Sequence, residues 1–299
     1  MSNHAVQAKS YSNKQLRQYT LKMMKKHHLR GSIEIVKNGH AQRVSLGYGY
    51  YSKRLKNGNT KLLYPVGSLQ KMVTAAIITQ LIYQKKFNQN TKISRWYPNL
   101  KHANQITVGQ LMTHTSGINV IGTESNHGVN FSENGAINWT IAQANARENT
   151  GRSKFNYNNA NYVLLAGIIS KVTGKSYAAN VKQRVIRSLK LKQTYIYQQI
   201  PRSKTDAISY LYSGGKNYNA STYANRNVVS QLPGAGNLFS TANDYYKIQS
   251  GMQNGKILTT DNQNGIVMFL NQTYGSKNHI RAIGYNILKH IKANTFIKG

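Results

Sequence analysis

The sequence predicts an α+β domain in which an antiparallel sheet is flanked by helices and has a mostly helical region inserted into it. Segments typical of strands lie near both ends of the 299-residue chain, helical patterns fill the middle, and we find no internal repeat. We expect a disordered segment at residues 1–12 and a single domain at 13–299. Within that domain, the sheet part covers about 13–64 and 240–299, and the helical part about 65–239.

The first part of the chain predicts a helix followed by a hairpin. Asn13 to His28 has the apolar spacing of an amphipathic helix, with Lys and His residues in the last turn, where cations interact favourably with the helix dipole. Asn38-Gly39 follows between two runs typical of strands. This dipeptide is the strongest short hairpin signal because both turn positions need a positive φ. A polar loop is expected over 53–60.

A central helix is predicted from Ser68 to about Gln84, directly after the Pro65 and Gly67 breakers. Its apolar residues recur with the helical period, at Leu69, Met72, Val73, Ala76, Ile77 and Leu81. Lys71 lies one turn after Ser68 and on the same face. A serine at a helix N-terminus beside an amine is a candidate nucleophile and base, and the free N–H groups there suit a developing oxyanion.

Further helical patterns follow along the chain, at 106–112 with Thr107 as the cap, 139–148, 161–173 with Gly174 at its C-terminal end, 176–188 and 241–254. Residues 118–135 and 200–232 are polar and irregular, and the second of these is typical of a loop that lines a site. Residues 280–297 alternate between apolar and polar side chains, which predicts strands.

The composition excludes several kinds of chemistry. Lys and Arg number 40, whereas Asp and Glu number only 7 and lie mostly far apart. A carboxylate pair or a carboxylate-rich metal site is therefore poorly supported, and we expect no metal and no cofactor. The chain contains no cysteine, which excludes disulfides, zinc–thiolate sites and a cysteine nucleophile. Chemistry based on Ser, Lys and Tyr needs no carboxylate and fits this inventory.

The formal net charge of +33 predicts an anionic environment. The charges are spread along the chain, with one cluster at Lys25-Lys26-His27-His28. This favours a general anionic environment, such as an anionic membrane or a cell-wall polymer of an anionic cell envelope, over a nucleic-acid groove. Nucleic-acid binding remains a weaker alternative. Ala5-Val6-Gln7-Ala8 resembles a signal-peptidase site, so we expect an extracellular, surface-associated monomer whose leader is missing from this sequence. An ordinary N-terminus is the alternative interpretation.

Each short motif also has a structural interpretation. Ser-x-x-Lys occurs at Ser68 and again at Ser213, but the second copy lies in a Gly-rich loop that cannot hold a one-turn geometry. Ser68 alone could be a helix cap beside an exposed lysine. Tyr-x-Asn occurs four times, and only the copy at Tyr157 directly precedes an apolar helix. His114 suggests a Ser/His pair, yet a structural histidine that hydrogen-bonds the loop is the favoured interpretation.

Taken together, these motifs resemble a known family. The run Val66–Lys71 resembles the active-site region of the serine beta-lactamase/penicillin-binding-protein superfamily, whose motifs include Ser-x-x-Lys. Further segments resemble, in order and spacing, the class C beta-lactamase-like serine hydrolases of the Gram-positive type. These segments are Ile106–Gly117, Phe155–Tyr177, Leu189–Thr194 and Gly234–Asp244.

The resemblance implies a beta-lactamase/transpeptidase-like fold and a role for each matching residue. Ser68 would be the acylated nucleophile, with Lys71 and Tyr157 sharing its proton. Asn159 would bind the acyl amide of the substrate or orient Lys71. Gly299 would be the glycine of a third motif beside the site, after which the family normally continues, so we expect a chain truncated at its C-terminus.

The resemblance also implies the substrate class, which is a D-alanyl-containing component of the cell wall. The general expectation is a D-alanyl-D-alanine peptidase that acts on peptidoglycan peptides. A D-alanyl esterase on teichoic acid is the alternative, because a protein with a net charge of +33 would concentrate at a polyanion. A truncated, inactive penicillin-binding-like protein is the third interpretation.

Overall fold

The computed structural model describes residues 11–147, 150–151, 153–254 and 265–291, and it has the predicted α+β architecture. Its helices are α1 (Asn13–Lys26), α2 (Gln70–Tyr83), α3 (Val108–Met112), α4 (Glu133–Asn145), α5 (Asn159–Thr173), α6 (Tyr177–Val181), α7 (Arg226–Ser230), α8 (Ala242–Asn254) and α9 (Lys277–Lys289). Its strands are β1 (Arg30–Lys37), β2 (His40–Leu46), β3 (Tyr48–Tyr50), β4 (Leu55–Lys56), β5 (Leu62–Pro65), β6 (Tyr195–Ile196), β7 (Thr205–Asp206), β8 (Ser209–Leu211), β9 (Ser221–Thr222), β10 (Leu238–Ser240) and β11 (Gly265–Thr273).

The larger sheet has the strand order β2-β1-β11-β8-β9. The β1–β2 hairpin turns at Asn38 and Gly39, which both have a positive φ, so the hairpin prediction is confirmed. β11 pairs antiparallel with β1 and parallel with β8. A smaller sheet has the strand order β6-β10-β5-β7. The chain passes from the end of β5 at Pro65 directly to Ser68.

Two apolar clusters surround the larger sheet and the central helix. One cluster joins α1, β1, β2 and α9, with Leu16, Ile33 and Ile287 fully shielded from solvent. The larger cluster is built around α2 and α5, and most of the α5 side chains are buried. Because α2 packs on several sides at once, even its polar residues Gln70 and Lys71 are buried. This burial determines the environment of the candidate site.

The structure corrects the prediction for the C-terminal segment. Residues 280–297 were expected to form strands, but residues 277–289 form the helix α9. Ile283 and Ile287 are four residues apart, which is a helical spacing as well as part of an alternating pattern, and both are buried. Residues 292–299, which include Gly299, lie outside the described residues.

Some element boundaries also differ from the predictions. The segment 200–232 contains β7, β8, β9 and α7, so it is not irregular throughout, and β8 and β9 place part of the predicted helical region in the larger sheet. α4 begins at Glu133 rather than at residue 139, because Ser132 caps it by accepting a hydrogen bond from the Gly135 N–H. The expected disordered segment 1–12 does not extend to Ser12, whose hydroxyl accepts from the Gln15 N–H and caps α1.

Candidate active site

Ser68 lies in a short 3₁₀ turn, Gly67–Leu69, that leads directly into α2. Gly67 has a φ of +57°, and no atom lies near the position of an added Cβ, so its requirement for glycine is conformational. The Val66 N–H donates to the Leu238 carbonyl oxygen at 2.9 Å and so attaches the turn to β10. The turn thus presents Ser68 at the surface in front of a buried helix.

Lys71 is buried one turn behind Ser68, with 7% of its surface exposed. Its Nζ donates to Ser68 Oγ at 3.1 Å, to Asn159 Oδ1 at 2.8 Å and to the Ala235 carbonyl oxygen at 3.0 Å. Burial lowers the pKa of Lys71, while Tyr157 and Glu124 act in the opposite direction. The amine therefore loses its proton more readily than an exposed lysine does.

Tyr157 contacts Ser68 from the other side. Its Oη forms a 2.6 Å hydrogen bond with Ser68 Oγ, and Lys71 Nζ lies 4.8 Å from the centre of its ring. The ring also packs at 4.6 Å between centroids against His114. Ser68 Oγ is consequently within hydrogen-bond distance of two groups that can exchange a proton with it.

Asn159 is the first residue of α5 and is 6% exposed. Its side-chain oxygen accepts from Lys71, while its amide nitrogen donates to Glu124 Oε1 at 2.8 Å and to Thr123 Oγ1 at 3.3 Å. The preceding Asn158 caps α5 by accepting from the Ala160 N–H at 3.0 Å. The cap fixes the start of α5 and thereby the position of Asn159.

His114 supports the tyrosine loop, as the favoured interpretation predicted. Its Nδ1 accepts a hydrogen bond from the Asn158 N–H at 3.3 Å and lies 3.1 Å from Asn161 Nδ2. Burial, together with the positive charge of Lys71, lowers the pKa of His114, and the neutral ring keeps Nδ1 free to accept. The structural role is therefore confirmed.

The segment between α7 and β10 completes the site. Gly234 has a φ of +76°, and a Cβ there would lie 2.7 Å from the Tyr162 carbonyl oxygen, so only glycine fits. The Thr74 hydroxyl donates to the Gly234 carbonyl oxygen at 2.7 Å, and Gln70 accepts from the Leu238 N–H at 2.7 Å. These bonds to α2 direct the Ala235 carbonyl oxygen toward Lys71.

The structure brings together four of the predicted site residues: Ser68, Lys71, Tyr157 and Asn159. Gly299 lies outside the described residues and stays a prediction. In the second Ser-x-x-Lys copy, the Ser213 and Lys216 backbones bond to each other, which is a turn rather than a helical geometry.

Sequence reasoning missed two groups at the site. The resemblance of Gly234–Asp244 to a family segment located the stretch that contains Ala235, but not its contact with Lys71. Glu124 lies alone in a polar loop, and no spacing in the sequence connects it to Asn159. Within the described ranges, no group of His, Asp and Glu side chains could hold a metal ion, and no helix is long and apolar enough to cross a membrane.

Ser68, at the start of the central helix, is hydrogen-bonded to a buried lysine and to a tyrosine. This arrangement has the Ser-x-x-Lys geometry typical of serine hydrolases of the beta-lactamase/penicillin-binding type. A family model described as Beta-lactamase matches residues 16–273. The chain therefore belongs to the beta-lactamase family.

Individual relatives agree with this assignment. The teichoic acid D-alanine hydrolase of Staphylococcus aureus is 32% identical over 231 residues, which are 77% of this chain and 55% of that protein. The chain thus spans about half the length of the curated relatives it matches. The solved structure of FmtA from Staphylococcus aureus superposes with a TM-score of 0.79 at 25% identity and covers 95% of this chain and 92% of that chain.

More distant structures share the fold. The D-amino acid amidase of Ochrobactrum anthropi has a TM-score of 0.67 at 22% identity, covering 82% of this chain and 71% of its own. A penicillin-binding protein from Bacillus halodurans has a TM-score of 0.65 at 18% identity, covering 89% and 99% of the two chains.

Proposed function

We propose that this chain is a serine hydrolase that forms an acyl-enzyme at Ser68 and removes D-alanyl groups from teichoic acid at the cell surface. The observation that supports it most directly is the pair of hydrogen bonds at Ser68 Oγ, which accepts from Lys71 Nζ at 3.1 Å and shares a 2.6 Å hydrogen bond with Tyr157 Oη. A serine hydroxyl is a weak nucleophile until a neighbouring base accepts its proton, and both partners are within reach.

In the acylation step, Ser68 Oγ attacks the ester carbonyl carbon while its proton passes to Lys71 or Tyr157. The carbonyl oxygen becomes an oxyanion, which the Ser68 N–H and the N-terminal dipole of α2 stabilise. When the tetrahedral intermediate collapses, the bond to the polymer oxygen breaks and the same proton leaves with the alcohol. The D-alanyl group is then esterified to Ser68.

Deacylation reverses these roles with water as the nucleophile. A water molecule gives one proton to Lys71 or Tyr157 and attacks the acyl carbon, and Ser68 Oγ regains the proton as it leaves. The free amino acid is released. The lowered pKa of Lys71 suits both steps, because a neutral amine can accept the proton and the ammonium can return it.

Two observations favour teichoic acid as the substrate. A relative with 32% identity is named as a teichoic acid D-alanine hydrolase, and the net charge of +33 attracts the protein to a polyanion. These observations favour the esterase over the D-alanyl-D-alanine peptidase, which is the general expectation from the family resemblance. A location at the cell surface, where the polymer is found, belongs to the same proposal.

The test measures D-alanine release from D-alanylated lipoteichoic acid and from a peptide that ends in D-alanyl-D-alanine. We expect release from the polymer above the spontaneous rate, none with Ser68→Ala, and full activity with Ser213→Ala as the matched control. Release from the peptide alone would replace the esterase with the peptidase. Release from neither substrate by the folded protein would contradict the proposal and favour an inactive relative.

A further inference from the structure

Four of the five acidic residues that the structure describes form salt bridges or helix-capping contacts. Glu148 and Asp261 lie outside the described residues. The described acids with a structural partner are Glu34, in a salt bridge with Arg43, Asp206 with Arg226, Asp244 with Lys247, and Glu133, which accepts from the Tyr177 and Ala178 N–H groups at the start of α6.

Glu124 has different surroundings. It lies in the exposed loop that follows α3, and within the described ranges it forms no salt bridge, although the chain has 40 Lys and Arg residues. Glu133 forms none either, but both of its carboxylate oxygens accept from backbone N–H groups. Its Oε1 accepts from Asn159 Nδ2 at 2.8 Å. Its Oε2 has no hydrogen-bond partner among the residues that the structure describes. One oxygen of this carboxylate is therefore available to an incoming donor.

Glu124 is also the acid nearest to the reaction centre along the hydrogen-bond network. A chain of three bonds leads from Ser68 Oγ through Lys71 Nζ and Asn159 to the Glu124 carboxylate, with lengths of 3.1, 2.8 and 2.8 Å. Its negative charge reaches Lys71 strongly enough to influence the lysine pKa. The carboxylate is thus connected through Asn159 to the lysine that contacts Ser68.

We propose that Glu124 binds the free α-ammonium group of the D-alanyl substrate and so selects aminoacyl esters over N-acylated peptides. This inference rests on the proposed hydrolase function and assigns the residue that recognises its substrate. The α-nitrogen of an aminoacyl ester is attached to the carbon next to the reacting carbonyl group. In this proposal, Glu124 Oε2 accepts a hydrogen bond from that ammonium, while Oε1 stays bonded to Asn159 Nδ2.

Charge explains why such a residue is needed. A D-alanyl ester has a free ammonium group, whereas in a D-alanyl-D-alanine peptide the corresponding nitrogen is an uncharged amide. A protein with a net charge of +33, and with Lys71 at the site, repels a cationic acyl group. A carboxylate that is not paired with a cationic side chain of the protein offsets this repulsion for the ammonium group of the ester. It contributes little to binding of the peptide, because the corresponding nitrogen of the peptide is uncharged.

A purely positioning role for Glu124 gives a different outcome. If the carboxylate only holds Asn159, its loss impairs every substrate equally, since Asn159 contacts Lys71 whatever the acyl group is. If it binds the ammonium, the loss is confined to ligands with a free amine. The comparison of two ligands that differ only in N-acetylation therefore separates these two roles.

The experiment uses the boronic acid analogue of D-alanine and its N-acetyl derivative. Ser68 Oγ adds to boron and loses its proton to the neighbouring base, which gives a stable tetrahedral adduct without turnover. Dissociation constants are measured by calorimetry for the wild type and for Glu124→Gln, which keeps a side-chain oxygen as an acceptor for Asn159. Gln18→Lys, exposed on α1, is the control that makes the same change in net charge.

We expect Glu124→Gln to weaken binding of the free-amine analogue by about fivefold or more and to change binding of the N-acetyl analogue by less than about twofold. Gln18→Lys should change neither. Equal weakening of both analogues, no weakening of either, or a wild type that binds neither would overturn the inference. A Glu124-dependent preference without any release of D-alanine from esters would instead refute the proposed hydrolysis and leave the ammonium site standing.

Discussion

Lys71 combines two properties that oppose each other. It is a cationic side chain with 7% of its surface exposed, and yet three acceptors surround its amine. Burial favours the neutral amine and lowers the pKa of Lys71, whereas Tyr157 and the Glu124 carboxylate favour the ammonium. This balance leaves a lysine that is anchored in one position but can change its protonation state, as a proton carrier for Ser68 requires.

The first prediction concerns the pH dependence of this lysine. Because the folded pKa of Lys71 is lowered, the neutral base becomes populated below the ordinary lysine range, and kcat/KM should rise with pH through that folded pKa. The Glu124 carboxylate raises the pKa of Lys71, so Glu124→Gln should move the rising limb to lower pH. A pH profile with an N-acetyl-D-alanyl ester, which has no ammonium to titrate, measures this directly.

If Glu124→Gln leaves the rising limb of the pH profile unchanged or moves it to higher pH, Glu124 does not raise the pKa of Lys71 and the prediction is contradicted. Gln18→Lys serves again as the control for net charge, because it lies on α1, which packs against β2 and α9. If Gln18→Lys shifts the pH profile by the same amount, the effect arises from the electrostatic field of the whole protein and not from Glu124.

Most of the candidate site could be predicted at the residue level because its short motifs occur in the order and spacing of a known family. Ser68 and Lys71 are one helical turn apart, and Tyr157 and Asn159 stand at the start of an apolar helix. The Ala235 and Glu124 contacts depend on tertiary packing between segments far apart in the chain. A lone acid in a polar loop has no periodicity, so Glu124 could not be assigned from the sequence.

Among the secondary-structure elements, α5 is a case in which the sequence pattern predicts the structure correctly, and α9 is a case in which it does not. The end of α5 was predicted from Gly174, which has a φ of +67° and terminates the helix. The prediction of strands over 280–297 is wrong for the part of this segment that belongs to α9. Apolar residues four positions apart are compatible both with one face of a helix and with an alternating strand. Strands as short as β8, which has three residues, pair with distant partners and leave almost no local signal.

The second prediction distinguishes the two structures of that segment. In a strand, Ile283, Tyr285 and Ile287 would share one face, whereas in α9 the isoleucines are 2% and 0% exposed and Tyr285 is 49% exposed. Ile287→Ala should reduce the free energy of unfolding by about 2–5 kcal/mol, and Tyr285→Ala by less than about 1 kcal/mol. Urea denaturation of the two variants measures the difference, and similar losses for both would contradict the helix.

At the level of the whole molecule, the net charge of +33 indicates which kind of partner the surface attracts. With 40 basic and 7 acidic residues, the surface attracts polyanions over the distance that salt permits, which is about 8 Å at physiological ionic strength. The family, the fold class and this charge were all predictable from the sequence. The specific polymer was not, because net charge favours any polyanion equally.

The third prediction follows from that charge. Raising the salt concentration should reduce kcat/KM for D-alanylated teichoic acid, because the attraction between the basic surface and the polymer is screened. The kcat/KM for a small, uncharged N-acetyl-D-alanyl ester should change little. Initial rates for both substrates over a salt series provide the measurement. A parallel decline for both would show that salt acts on the fold or on the site and not on polymer binding.

The most direct test of the central claim is intact-mass spectrometry of the protein quenched in acid during turnover of a D-alanyl ester. We expect one additional D-alanyl group, which peptide mapping assigns to Ser68, in the wild type and in Ser213→Ala. We expect no such group in Ser68→Ala. An adduct on another residue, or D-alanine release without any dependence on Ser68, would contradict an acyl-enzyme formed at the start of α2.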